Sequence, residues 1–534
     1  MPGENAKQPP MNVLLITADQ WRADSLSAAG HPVVKTPHTD ALAAEGVRFA
    51  RHFTQASPCQ PGRASLLTSL YQMNHRVGWN GIPLDHRHDN IARALRRKGH
   101  DALLIGYTDT APDPRQYHSK DPVLHNMEGI LPGFDRVGHW GTGDVGEIWA
   151  NHLRKQGVAI SDDDEEAFHP LGDYSEPLDN RPTRYAAAQS ESAYLADALI
   201  EQMEACRGQA RQGRGRPWLT HLSVYRPHPP FIAPAPFNSL YDPADVPDFV
   251  RAETPEKEAE QHPLLAALLQ GISKSHFYPG APHAPVATWD DRSFRQIRAN
   301  YYGLVSKVDE QIGRLVAYLK KSGQYDSTLI IVTSDHAEQL GDHYLLGKLG
   351  YFDQGFNIPL IVRDPSRPES HGRVVENFTG TIDIAPTILD CLGYEVPRAF
   401  DGHSLRPFLD GETPEDWREE IYWEFDYRII REMLAAQGRD PNLMGRDNDS
   451  CSLAVQRGAR YKYVHCAELP PLLFDLWEDP AELHDLAQDP AHGAVLLACA
   501  QKMLSWRLRY AERTLTELRI TPEGPRGPYY QELD

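Results

Sequence analysis

Short, unbroken apolar runs constrain this chain most. Asn12-Val-Leu-Leu-Ile-Thr17, Ala102-Leu-Leu-Ile-Gly106, Thr328-Leu-Ile-Ile-Val-Thr333 and Ile358-Pro-Leu-Ile-Val362 show no alternation of apolar and polar residues, and Trp218 to Tyr225, which contains Thr220, His221 and Ser223, is a further strand candidate. A strand with one wet face alternates, so these runs fit strands buried on both faces, as in a parallel sheet covered by helices. Between them lie helical patterns. The clearest places Ile297, Tyr301, Leu304, Val308, Ile312, Leu315 and Leu319 on one face, with Gly323 as the stop. Strand and helix alternating in this way predict an α/β fold with a mixed, mostly parallel sheet sandwiched by helices. In such sheets ligands gather at the C-terminal ends of strands. Asp19 and Asp335 each follow a strand end, so they are expected to meet there.

The pattern changes twice. From about Pro227 to Trp289 the chain is Pro-rich and charged, with one short helical patch near Leu264; residues 227–289 read as an insertion, a candidate for oligomer contacts. Beyond about Thr413, Glu420 to Tyr427, Ser452 to Val455 and Arg460 to Val464 read as short strands, followed by a helix from about Ala494 to Leu515 and a polar tail. This predicts a catalytic domain over 1–412 and a smaller C-terminal α+β domain with an antiparallel sheet over 413–534. A length of 534 residues fits two domains better than one. With 54 Lys+Arg against 74 Asp+Glu the net charge is -20, which argues against nucleic acid as a partner. An anionic substrate must then be held by local cations or a metal. No run reaches membrane-spanning length, and Met1 to Pro10 lacks the apolar core of a signal peptide. The expected location is the cytoplasm. The six cysteines, Cys59, Cys206, Cys391, Cys451, Cys466 and Cys499, form no C-x-x-C pair, so neither a disulfide framework nor a zinc ribbon is expected.

One cysteine stands apart. Ser57-Pro58-Cys59-Gln60-Pro61-Gly62-Arg63-Ala64-Ser65-Leu66-Leu67 places Pro61 where a first helical turn tolerates it, which puts Cys59 at a helix N-terminus, a setting that favours negative charge. Arg63 lies one turn on, within reach of residue 59 or of a bound anion. A lone cysteine is usually a small buried hydrophobe. The complete pattern, however, resembles the signature of the sulfatase family, Cys59-x-Pro61-x-Arg63, and Ala64-Ser65-Leu66-Leu67-Thr68 is similar as well. The resemblance implies an alkaline-phosphatase-like fold and a maturation enzyme that oxidises Cys59 to formylglycine. A hydrated aldehyde carries two hydroxyls on one carbon. One attacks sulfur or phosphorus; the other, once deprotonated, expels the bound anion and restores the aldehyde. A serine could perform only the first step.

The same resemblance gathers Asp19, Gln20, Asp335, His336 and residue 59 around one divalent ion. Carboxylate and amide oxygens with one imidazole suit Ca²⁺ or Mn²⁺. For an isolated Asp at a strand end, helix capping is the plainer reading. The family usually has Gly where this chain has Ala337. Asn80, Tyr107, His228 and Lys348 are further candidates by resemblance: Lys348 to bind a substrate oxygen, His228 to protonate a leaving group. Many arylsulfatases carry Gly-Lys-x-His after the second strand; here that place reads Gly106-Tyr107-Thr108-Asp109. With Tyr225-Arg-Pro-His-Pro-Pro230, Tyr461 to Cys466 and Leu504-Ser-Trp-Arg507, this looks like the phosphonate monoester hydrolase branch. That branch is expected to have a hydroxyl residue where Asp109 stands. A carboxylate there repels a dianion more than a monoanion.

The expected activity is therefore hydrolysis of small, singly charged anionic esters, with sulfatase and phosphonate or diester activity together. One alternative makes phosphonate monoester or phosphodiester hydrolysis primary. Another keeps the fold with an unmodified Ser or Thr nucleophile and two metals, which Cys59 argues against. A third, of another class, is a catalytically silent metal-binding protein. The expected partners are the substrate and the formylglycine-generating enzyme, with no nucleic acid and no membrane, and the expected assembly is a homodimer or homotetramer.

Overall fold

The computed structural model describes residues 11–138, 146–172, 174, 178–513, 515–516 and 518–526. The polar start at Met1 to Pro10 and the end of the tail lie outside them. Thirteen strands build two sheets: β1 Asn12–Ala18, β2 Val47–Phe53, β3 Ala56–Ser57, β4 Asp101–Ile105, β5 Asp135–Gly138, β6 Trp218–Val224, β7 Thr328–Thr333, β8 Leu360–Arg363, β9 Arg373–Gly380, β10 Ile421–Asp426, β11 Ser452–Arg457, β12 Tyr461–Cys466 and β13 Leu472–Asp475. A further hairpin joins Arg519–Thr521 to Gly524–Arg526.

The larger sheet has eight strands in the order β5-β4-β6-β1-β7-β8-β2-β9. Every pairing is parallel except those of β8, which runs antiparallel to β7 and β2. The unbroken apolar runs have their expected cause. In β1, Val13 and Leu15 join the core on one face while Leu14 and Ile16 join the core on the other, and all four are buried. The run around Ile358 forms a strand only from Leu360, and in the antiparallel sense. The helix with the clearest periodicity spans Asp291–Ser322 and ends at Gly323, whose φ of 76° closes it.

The Pro-rich segment is woven into the core rather than appended to it. Phe231, Ile232, Leu264 and Leu265 are fully buried together with Phe294 and Ile297 of the long helix. The segment carries two helices, Pro255–Ala259 and Pro263–Gly271. From the first, Glu258 accepts a hydrogen bond from His343 Nδ1 at 2.8 Å, tying the segment to the loop after β7.

The smaller sheet runs β13-β12-β11-β10-β3. It is antiparallel apart from its last pair, where β3 lies parallel to β10 through Ala56 and Ser57. The C-terminal sheet thus grips the two residues that lead into Pro58 and Cys59. The helix Gly493–Tyr510 covers it, with Cys499, Met503 and Trp506 buried. Among the described residues no helix is long and apolar enough to cross a membrane.

Candidate active site

Sheet order does most of the assembly. β4, β6, β1 and β7 are consecutive and parallel, so their C-terminal ends open at one edge. β4 delivers Tyr107 and Asp109, β6 delivers His228, β1 delivers Asp19 and Gln20, and β7 delivers Asp335 and His336. Thr17 and Thr333 are register partners, which explains why two carboxylates far apart in sequence emerge side by side. Two glycines permit the close approaches. At Gly106, with φ at 101°, a Cβ would lie 2.1 Å from the Ser223 carbonyl oxygen. At Gly62, inside the cysteine motif, it would lie 2.6 Å from the Asp335 carbonyl oxygen. The helix Cys59–Thr68 therefore rests its backbone directly on the loop after β7. Gln20 and Asp109 hold left-handed backbones, at φ 70° and 47°. Non-glycine residues carry such strain chiefly where a site demands it.

Cys59 begins its helix, with Pro61 in the first turn as its chemistry requires. Its Sγ lies 3.2 Å from His336 Nε2 and 3.1 Å from Lys348 Nζ. Lys348 Nζ also donates to Gln20 Oε1 at 2.8 Å. Asp19, Cys59, Asp335 and His336 each offer a ligand atom, and these atoms lie within 4.8 Å of one another, all buried. Gln20 lies beside this cluster, its backbone N–H donating to Asp335 Oδ1 at 3.2 Å. Ala337 is fully buried and lies outside the left-handed region, so this position needs no special φ.

The Arg63 guanidinium bridges the carboxylates. Nη2 lies 3.0 Å from Asp19 Oδ2, Nε 2.9 Å from Asp335 Oδ2 and 3.6 Å from Asp109 Oδ2, and Nη1 donates to Ser223 Oγ at 2.6 Å. Its guanidinium carbon sits 4.1 Å from the centre of the Tyr107 ring. The Tyr107 hydroxyl is itself engaged, donating to Asp19 Oδ2 at 2.7 Å. Asn80 Oδ1 accepts from Gln60 N at 3.1 Å, which leaves its amide nitrogen as the donor.

The residues fit a divalent cation. Asp19 Oδ1 is buried and accepts no hydrogen bond, and Asp335 Oδ2 is ion-paired with Arg63 Nε at 2.9 Å. Burial and the nearby Asp19 carboxylate push the Asp335 carboxyl up, against the pull of Arg63 and Lys348. Burial opposes ionisation of Asp19 as well, but His228, Lys348, His336 and Arg63 hold it below the usual carboxylate range. Three buried carboxylates, Asp19, Asp335 and Asp109, share the two cations Arg63 and Lys348, and a divalent cation would supply the charge still lacking. His336 Nδ1 donates to the Ala337 carbonyl at 3.1 Å, which leaves the Nε2 lone pair facing the cluster. His228 has the same arrangement: Nδ1 donates to the Pro229 carbonyl at 2.8 Å, and the ring packs on Tyr225 with centroids 4.7 Å apart. Burial, then Lys348, pushes its pKa down to about 3.

Glu338 is the participant that sequence reasoning missed. Its Oε2 accepts from Gln20 Nε2, and its Oε1 accepts the backbone N–H groups of Leu340 and Gly347 at 3.0 and 2.6 Å. One buried carboxylate thereby sets the Gln20 amide, turning Oε1 toward Lys348, and fixes the turn that carries Lys348. The only signal was a Glu three residues after Asp335.

Residues 11–394 match the sulfatase family model. The chain is 44% identical over 520 residues to the multifunctional alkaline phosphatase superfamily protein PehA of Trinickia caryophylli, covering 96% of this chain and 98% of that protein. The crystal structure of phosphonate monoester hydrolase of Agrobacterium radiobacter superposes with a TM-score of 0.90 at 44% identity, covering 97% of this chain and 99% of the other. Phosphonate monoester hydrolase SpPMH from Silicibacter pomeroyi gives a TM-score of 0.88 at 39% identity, covering 98% and 100%. Family model, near-full-length relatives and site geometry agree: this chain belongs to the sulfatase family of the alkaline phosphatase superfamily and is a hydrolase.

Proposed function

We propose that the enzyme hydrolyses small, singly charged sulfate esters, phosphonate monoesters and phosphodiesters, with a formylglycine at position 59 as nucleophile. The carrying observation is Cys59 Sγ at a helix N-terminus, 3.2 Å from His336 Nε2 and 3.1 Å from Lys348 Nζ, beside the carboxylates of Asp19 and Asp335. An unmodified thiol suits this place poorly. Burial, with the negative charge of Asp19, pushes its pKa well up and keeps it from ionising, despite Lys348. An aldehyde hydrate at position 59 would need no thiolate. The ion, Ca²⁺ or Mn²⁺ from its oxygen-rich ligands Asp19, Gln20, Asp335 and His336, would ionise a hydroxyl at residue 59 and offset charge on the transferred group.

The chain's own residues do the rest. Arg63 keeps both carboxylates in place. Lys348 Nζ, already beside residue 59, binds a non-bridging oxygen of the ester, and the Asn80 amide donates to another. His228 Nε2 faces the leaving group; it carries a proton only as imidazolium, which a bound anion favours. The phosphonate monoester hydrolase relatives support the substrate class, and the carboxylate of Asp109 supports the preference for one charge. All six cysteines are free thiols, in keeping with a cytoplasmic enzyme that meets its maturation enzyme there. Assembly into a homodimer or homotetramer belongs to the same reading; Leu497, Leu504 and Leu508, exposed along one helix, support it, and sedimentation would test it.

Peptide mass spectrometry on active protein tests the nucleophile. Residue 59 should be about 18 Da lighter than cysteine, the thiol-to-aldehyde change, and specific activity on aryl sulfate and aryl phosphonate should scale with the modified fraction. Full activity with wholly unmodified Cys59 would falsify the proposal.

A further inference from the structure

Asp109 is hard to explain as a residue that helps an anionic ester to bind. It sits at the end of β4 on the rim of the anion site, only 8% exposed, with a left-handed backbone at φ 47°. Its carboxylate lies 3.6 Å from Arg63 Nε, the same nitrogen that meets Asp335. Among the side chains, the cluster carries three buried carboxylates, Asp19, Asp335 and Asp109, against the cations Arg63 and Lys348; with a divalent cation bound the sum would be one net positive charge, which would be two without Asp109. Asp19 and Asp335 have ligand atoms in the metal cluster; Asp109 has none there. It cancels positive charge at the place where the substrate's charge must be received, and its field reaches residue 59.

The reaction gives that charge a use. Hydrolysis adds water across the ester bond: the S–O or P–O bond to the alcohol breaks, the alcohol leaves with a hydrogen, and the oxyanion leaves with one more ionisable oxygen. A sulfate monoester with one negative charge becomes sulfate with two, and a proton is released. Every turnover therefore raises the negative charge in the pocket. A site tuned to hold a dianion would bind its product more tightly than its substrate.

We propose that Asp109 is a specificity-determining residue for product release: its fixed carboxylate accepts a monoanionic ester and repels the more highly charged oxyanion that the reaction leaves behind. The inference rests on the proposed ester-hydrolase reading and extends it from which substrate enters to what drives the product out. Two unit charges a few ångströms apart in a site of intermediate dielectric interact strongly enough to shift binding by about tenfold or more.

The test compares tetrahedral oxyanions of one and two charges, inorganic sulfate against methanesulfonate, binding by calorimetry and inhibiting turnover of an aryl phosphonate. In the wild-type enzyme sulfate should bind no more tightly than methanesulfonate despite its second charge. In Asp109→Asn, sulfate should bind about tenfold or more tightly than to wild type, while methanesulfonate changes less than about threefold. Asp109→Ser, which differs in shape but also lacks the charge, should behave as Asp109→Asn. Wild-type enzyme that binds sulfate tenfold more tightly than methanesulfonate would overturn the proposal, as would variants that tighten on both anions equally. The wild-type comparison stands even if a variant folds poorly. Calorimetry needs no turnover, so a protein that discriminates the anions yet cleaves no ester would sink the hydrolase reading alone.

Discussion

Two buried charge clusters lie one loop apart, and they are built on opposite principles. Asp353, a few residues past Lys348, accepts from Lys462 Nζ at 2.9 Å and from Arg457 Nε at 3.0 Å. Lys462 also donates to Glu482 at 2.6 Å. Two acids meet two bases, Lys462 is fully buried, and the cluster joins the C-terminal sheet to the loop bearing Lys348. At the active site Arg63 and Lys348 face three carboxylates, and Asp19 Oδ1 accepts no hydrogen bond. The closed cluster fixes geometry by satisfying itself. The open one leaves charge and lone pairs for a cation and an ester. Removing a member should therefore cost function in one and folding in the other.

The open cluster should show the largest effect. Asp335→Ala removes an anionic ligand, so metal content should fall to background and the rate on aryl sulfate and aryl phosphonate by about a thousandfold or more. Thermal stability of the metal-free protein should hold or rise, because one of two repelling carboxylates is gone. Elemental analysis with steady-state kinetics checks this; normal metal content with near-wild-type turnover would mean Asp335 is no ligand.

The closed cluster should answer in the other currency. Lys462→Met leaves Glu482 as a buried anion without its cation and takes one of the two partners of the part-buried Asp353, a change that destabilises by about 3 kcal/mol. Denaturant titration should find that loss, while the folded fraction keeps kcat within about threefold of wild type. Adding Glu482→Leu should recover part of the stability. Loss of activity with unchanged stability would place Lys462 among the functional residues instead.

The contrast also separates what the sequence made legible from what it did not. Strands with both faces buried announce themselves as apolar runs, unbroken in β1, β4 and β7 and interrupted by Thr220, His221 and Ser223 in β6, so all four could be read, and with them the edge where Asp19, Asp335, Tyr107 and His228 converge. β2, Val-Arg-Phe-Ala-Arg-His-Phe, intersperses arginines because it lies near the sheet's edge, and it was not read as a strand. β3 has two residues and no period at all, yet it ties the nucleophile to the second sheet. Which ligands meet is a property of register. How Arg63 divides itself among carboxylates, and that Glu338 orients Gln20, depends on turns with left-handed residues such as Leu340, and single residue types do not announce those turns.

Glu338 sharpens the comparison, since it is a satisfied group inside the open cluster. Glu338→Gln keeps the shape, but if its oxygen stays with the Leu340 and Gly347 N–H groups, its amide nitrogen faces Gln20 Nε2. Gln20 must then turn its nitrogen toward the cation. A lost orienting partner of this kind costs metal affinity about tenfold. Competition with a chelator should show it, with melting temperature nearly unchanged. A fall in stability at constant metal affinity would make Glu338 a purely structural residue.

The smallest effect is expected at His228, and only for some substrates. In the resting site its imidazole is held neutral, with Nδ1–H committed to the Pro229 carbonyl. It can act as an acid only once bound anion favours the imidazolium and puts a proton on Nε2. A phenol of low pKa departs as its anion and needs no such proton; one of high pKa does. His228→Ala should therefore leave the best aryl leaving groups nearly unaffected and slow the poorest, steepening the dependence of rate on leaving-group pKa. Lys348→Ala should shift the whole line downward, because Lys348 meets an oxygen present in every substrate. A series of aryl sulfates and aryl phosphonates measures both slopes. Parallel lines for wild type and His228→Ala would remove the acid role and make the neutral ring a binding group, packed on Tyr225 and held by Pro229. Steepening by Lys348→Ala instead would exchange the two assignments, and the proton would then come from the ammonium that already touches residue 59.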